Sequence, residues 1–322
     1  MNFKSDLAGR SVLITGAGGC IGAWAVKILA ELGATPVVYD LVYNRDRMNL
    51  IMEDAESIDW TTGDIADFDR LITVIRAHEI SAIIHLAALQ VPFCKADPVG
   101  SAKVNVIGSA SILEAARQCG IDRLSYASSI AAPAMGENDA LATLYGAHKV
   151  CGEQMAAVYW QDWQVPSVGI RPAIVYGPGR DRGMSAAPTV AMLAAFAGER
   201  YRVPFTGPVS FIYAEDIAAR FVAAVSKPIN GAFVFDANGT PETVDDVLGF
   251  IQCEIPEAGV GCDGDPLPFP AEGDSGALEE FLGLDPCRSM QTGVKATLEV
   301  FKNAKSRIDI AELARDTIRR NS

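Results

Sequence analysis

No apolar run in the chain approaches the roughly 20 residues needed to cross a bilayer. Met1 to Arg10 is mixed polar, without the charged-then-apolar order of a secretory leader, so the expected compartment is the cytoplasm and no membrane partner is expected. Positive charge is scarce: 27 Lys and Arg stand against 40 Asp and Glu, a formal net charge of −13. That balance argues against nucleic acid, whose phosphates demand a basic surface. The seven cysteines (Cys20, Cys94, Cys119, Cys151, Cys253, Cys262, Cys287) are odd in number and scattered, without a Cys-x-x-Cys pair or a histidine cluster. A disulfide framework and a metal site are therefore disfavoured, and the thiols read as small packing residues. No internal repeat is present. The chain does have apolar content, 49% of 322 residues, enough for one large domain or a large domain with a small lobe.

The most informative stretch is Ser11 to Gly22, Ser-Val-Leu-Ile-Thr-Gly-Ala-Gly-Gly-Cys-Ile-Gly. A β-branched run, a glycine turn and an Ala-rich helical pattern from Cys20 to Leu32 make a strand–turn–helix unit. Such a unit binds pyrophosphate: Gly16 allows the sharp turn, Gly19 the close approach of the anion, and Gly22 the packing of helix on strand. The amides at Cys20 and Ile21 open the helix and meet the anion.

A second strand ends at Asp40, 18 positions beyond Gly22, where a carboxylate accepts hydrogen bonds from the adenosine ribose and repels a 2′-phosphate. This favours NAD. Arg45 and Arg47 read as a solvated helix start. Asp64 and Ile65 follow a third strand, in position to reach adenine, and the fourth strand ends in His85-Leu86-Ala87-Ala88, with small residues against the cofactor and His85 as a core residue. A long helical pattern from Asp97 to Cys119 contains Asn105, and the fifth strand closes on Ser128 and Ser129. This alternation specifies an α/β fold with a doubly wound parallel (Rossmann) sheet, its ligands at the carboxyl ends of the strands.

Tyr145 and Lys149, 16 and 20 residues beyond Ser129, lie one turn apart on a helix running to about Gln161. A neighbouring ammonium favours the phenolate, so the expectation is that Lys149 activates Tyr145 as proton carrier while Ser129 holds the substrate oxygen. Ser128 is a candidate substrate contact.

Thr15 to Gly22, Asp40, Asp64-Ile65, His85 to Ala88, Asn105, Ser128-Ser129, Tyr145 to Lys149 and Arg171 to Gly179 together resemble an extended short-chain dehydrogenase/reductase of the NAD-dependent epimerase/dehydratase family. The resemblance covers about the first 180 residues. It implies catalysis by Ser129, Tyr145 and Lys149, cofactor contacts at the glycine turn, Asn105, Pro172, Ile174 and Val175, and a homodimer built on the helices of Asn105 and Tyr145. It places an NAD-binding domain at 1–178, with a returning helix and strand around 212–238, and mainly a substrate lobe at 179–322. Two departures are a short connection from Ser129 to Tyr145 and His148 in place of a small hydroxyl residue.

Beyond Pro178 the pattern becomes polar at Arg180-Asp181-Arg182, where the two arginines are candidates to hold an anionic substrate group. The expected function is hydride transfer at a carbinol carbon of a sugar or sugar-derived substrate with NAD. The alternatives are net oxidation of a small polyol, sugar acid or hydroxy compound, and a non-catalytic NAD-binding sensor or scaffold.

Overall fold

The computed structural model describes residues 5–133, 143–267 and 276–321. Among these, the strands are β1 Ser11–Thr15, β2 Thr35–Asp40, β3 Asp59–Thr62, β4 Ala82–His85, β5 Leu124–Ala127, β6 Ser167–Pro172, β7 Ile174–Tyr176, β8 Tyr201–Val203, β9 Pro208–Tyr213, β10 Ala232–Ala237, β11 Thr240–Thr243 and β12 Val260–Cys262. The helices are α1 Cys20–Glu31, α2 Asp46–Ile51, α3 Phe68–Ala77, α4 Val91–Ala96, α5 Pro98–Ala102, α6 Gly108–Cys119, α7 Leu144–Trp163, α8 Ala187–Ala197, α9 Ala214–Ala224, α10 Val244–Glu254, α11 Gly276–Leu282, α12 Met290–Ala304 and α13 Ile310–Asn321.

Strand β1 is apolar on both faces and splits the core by simple alternation: Val12 and Ile14 join one buried cluster, Leu13 the other. The same alternation divides Val38 from Val37 and Ile84 from Ile83. Helices α1, α2 and α9 cover the first face, while α3, α6 and α7 cover the second. The result is a parallel seven-stranded sheet in the order β10-β6-β5-β4-β1-β2-β3. β1 lies between β2 and the central strand β4, so the turn after it opens at the point where strand order reverses. Smaller sheets, β11-β9-β7 and β12-β8, join α8, α10, α12 and α13 in the remaining lobe.

Two helices differ from the sequence reading. The pattern from Asp97 to Cys119 is broken into α5, a π-helical turn Lys103–Ile107 and α6. Helix α7 starts at Leu144, where the Thr143 hydroxyl caps it by accepting from the Gly146 amide at 3.0 Å. The connection between Ser129 and Tyr145 falls largely on 134–142, outside the described residues. No described helix is long and apolar enough to cross a membrane, and no His/Cys/Asp/Glu group among the described residues is arranged to hold a metal ion.

Candidate active site

The carboxyl ends of β1, β4, β5 and β6 lie along one edge of the parallel sheet, where the glycine turn leaves β1. Gly16 has φ +70°, and a Cβ there would sit 2.6 Å from the Ala87 amide nitrogen, so the β1 and β4 ends touch backbone to backbone. At Gly22 a Cβ would lie 2.5 Å from the Ala17 Cα, so only glycine lets α1 pack on the turn. Helix α1 begins at Cys20 without a side-chain cap and without an acidic residue in its first turn. Its leading amides are thus left for an external anion, and the cradle fits the pyrophosphate of a dinucleotide. Burial pushes the Cys20 thiol up to about 12, so it packs rather than reacts.

At the adenosine end, Asp40 Oδ2 accepts from the Gly18 amide at 2.9 Å and Oδ1 from the Leu41 amide at 2.7 Å, which fixes the carboxylate beside the turn. Burial raises its pKa while these amides pull it down. The exposed Asp64 caps its own turn through Ala66, whereas Ile65 is buried against Gly108 of α6. The arginines of α2 are not solvated, contrary to expectation. Arg45 is buried, donating to the Ala55 carbonyl and to the Ile58 carbonyl at 2.6 Å. Arg47 pairs with Asp181 at 2.6 Å and donates to the Gly18 and Gly179 carbonyls at 2.5 and 2.9 Å, tying the turn to the 179–182 loop. Neither side chain stands free for a 2′-phosphate.

The nearby Ser129 hydroxyl, which accepts from the Ala131 amide at 3.1 Å, favours the Tyr145 phenolate, but burial dominates and holds the phenol up at about 12. The Lys149 ammonium lies 5.4 Å from the Tyr145 ring centroid and donates to the Ala127 carbonyl at 2.6 Å. Burial lowers its pKa to about 8. Ser128 is corrected from substrate contact to support. It is buried and donates to Glu153, which takes the Arg171 guanidinium in a two-pronged pair at 2.7 and 2.8 Å. Sequence reasoning missed Glu153, although Tyr145, Lys149 and Glu153 form one i, i+4, i+8 row on α7.

A second support runs under the β4 end. Thr15 Oγ1 takes the Leu86 and Ala87 amides at 3.2 and 3.3 Å and meets His85 Nδ1 at 2.7 Å. With its lone pairs engaged, the threonine donates to Nδ1, which leaves the His85 proton on Nε2, facing Ser109 Oγ at 3.5 Å. Burial and the Lys149 charge lower the His85 pKa to about 3, so the ring stays neutral. Asn105, in the π-helical turn, clamps Leu89 through both main-chain groups at 2.8 and 2.9 Å and approaches His148 at 3.4 Å. It thereby fixes Leu89, the residue that follows the Leu86, Ala87, Ala88 segment.

Beyond β6, Pro172 accepts from the Ile130 amide at 3.4 Å, and Ile174 and Val175 are buried in β7. The Pro178 carbonyl is held by the Trp24 indole at 3.0 Å, which anchors the following loop to α1. On that loop Arg182 is exposed and Arg180 is partly buried, so the structure separates the two.

The chain matches the model of the NAD dependent epimerase/dehydratase family over residues 12–234. It is 28% identical over 313 residues to the UDP-glucose 4-epimerase of Mycolicibacterium smegmatis, covering 90% of this chain and 98% of that protein. Among solved structures it is similar to the UDP-glucose 4-epimerase of Thermotoga maritima with UDP-glucose (TM-score 0.79, 22% identity, 92% of this chain and 100% of that one). The L-threonine dehydrogenase of Clostridium difficile is equally similar in fold (TM-score 0.79, 21% identity, 92% and 98% covered).

Proposed function

Because the chain belongs to the NAD-dependent epimerase/dehydratase family, we propose that it epimerises a sugar or sugar-derived substrate by removing and returning hydride at a carbinol carbon. The observation that carries this reading is the pairing of Tyr145 and Lys149 one turn apart on α7, the ammonium 5.4 Å from the ring centroid, beside Ser129 at the end of β5. The α1 start takes the pyrophosphate, Asp40 the ribose hydroxyls, and Pro172, Ile174 and Val175 line the nicotinamide side. Bound NAD supplies the hydride acceptor and the positive charge of its oxidised ring. Tyr145 receives the carbinol proton as the C–H bond breaks, and Ser129 holds the oxygen as it becomes a ketone. Lys149 keeps a positive charge beside the ring of Tyr145. On return the tyrosine gives the proton back, and the ketone has presented its other face.

The seven cysteines are all free, which suits a reducing compartment, and we place the protein in the cytoplasm. Exposed Val99, Ile107, Val158 and Trp163 lie on α5, the π-helical turn and α7, where they support a homodimer face.

The test is to denature purified protein, assay the supernatant for nicotinamide cofactor, and then supply external NAD with a panel of nucleotide sugars, sugars, aldonates and polyols. Near-stoichiometric bound cofactor with no accumulating NADH supports epimerisation. Cofactor-free protein that steadily releases NADH assigns net oxidation instead.

A further inference from the structure

Arg180 is a partly buried cation, its Nε fully shielded, that the proposed chemistry leaves without a task. Its Nε is shielded from solvent and has no hydrogen-bond partner among the described residues, and its one side-chain bond is Nη2 to the Ser185 hydroxyl at 2.8 Å. Other buried arginines reach carboxylates: Arg45 meets Glu56 at 3.7 Å, Arg123 meets Asp6 at 2.5 Å, and Arg220 meets Glu279 at 2.5 Å. Arg180 follows Gly179, which faces Cys20 Sγ and the Arg47 side chain, and its charge acts on both the Cys20 thiol and the Tyr145 phenol. Arg47, its cationic neighbour, has already taken Asp181. Arg180 also borders a cleft of about 620 Å³ whose Arg307 is paired with Glu53. A guanidinium held this way costs stability unless something arrives to satisfy it.

We propose that Arg180 anchors an oxyanion group, phosphate or carboxylate, of a ligand bound between the start of α1 and Tyr145. The inference rests on the epimerase reading for the ligand's position and gives that ligand a charge. A planar fork with a free Nε suits two-point contact with such a group. Two sources share this chemistry, the cofactor's pyrophosphate and an anionic substrate.

The test compares wild type with Arg180→Met and Arg180→Lys by calorimetric titration with NAD, by thermal shift with inorganic phosphate and gluconate, and by the substrate-concentration dependence of transient or persistent NADH absorbance in NAD-loaded protein across anionic and neutral substrates. Arg180→Met without ligand should melt at or above wild type, because an uncompensated charge has gone. Loss of about tenfold or more in NAD affinity, with part regained by lysine, identifies pyrophosphate. Unchanged NAD affinity, with loss of the phosphate or gluconate stabilisation and a higher KM for anionic substrates alone, identifies the substrate. Equal responses in all three proteins, or a lower melting point with unchanged ligand affinity, overturn the proposal. The binding arms need no turnover, so they decide it even if the epimerase reading fails.

Discussion

At the residue scale, the proposed mechanism puts proton transfer on Tyr145, whose burial raises its proton affinity. Tyr145→Phe should retain NAD binding by calorimetry and lose about 10²–10⁴ in turnover, the usual worth of a positioned proton carrier. In the oxidative direction, rate should rise with pH as the phenol deprotonates, and this limb should vanish in the phenylalanine variant. Lys149 gives a separate pH signature. Its folded pKa of about 8 lies below the ordinary 10.5, so between those values the unfolded chain binds the extra proton and cofactor-free stability rises with pH. Denaturant titrations should show this rise over pH 8 to 10.5 in wild type and its loss in Lys149→Met. The types and spacing of Ser129, Tyr145 and Lys149 were legible in the sequence. Their energetics were not, because burial is a property of the assembled core: it lifts the phenol and lowers the ammonium. Asp40 was legible from its distance to Gly22, whereas Arg45 and Arg47 were misread because their partners lie up to 134 residues away. Asp40→Ser should narrow the preference for NAD over NADP in paired titrations, since the carboxylate no longer repels the 2′-phosphate.

At the scale of elements, strand alternation was readable because a parallel sheet buried on both faces needs apolar residues throughout. The π-helical turn that aims Asn105 at Leu89 was not, since a local pattern carries no mark of one extra residue per turn. Helix α7 is held to the sheet by Glu153, which joins Ser128 on β5's end to Arg171 on β6. Glu153→Gln leaves Arg171 with Asp236 alone, at 3.4 Å. The expected loss is about 2–3 kcal/mol in denaturant unfolding, toward the low end for a broken buried pair because Arg171 is partly exposed. Gly22→Ala should cost about 1–3 kcal/mol and weaken NAD binding, because its Cβ meets backbone at 2.5 Å.

On the scale of the whole molecule, the acidic balance was visible in composition and argues against nucleic acid, whereas the proposed homodimer face on α5 and α7 came from the family resemblance. Val99→Glu combined with Ile107→Glu should convert a dimer to a monomer in light scattering; an unchanged mass would remove that face as the interface. The lobe beyond β7 was the least legible part. β8 and β12 are short strands whose pairing joins distant segments, such as Tyr201 with Val260, and no local period encodes such a partner. The central claim is hydride transfer to NAD governed by Tyr145, and its most direct measurement is single-turnover NADH absorbance after mixing NAD-loaded protein with the substrate panel. Wild type should show NADH, transient for epimerisation or persistent for net oxidation, and Tyr145→Phe should show it at least about 100-fold more slowly. Equal traces from the two proteins, or no NADH from wild type with any substrate, would contradict the account.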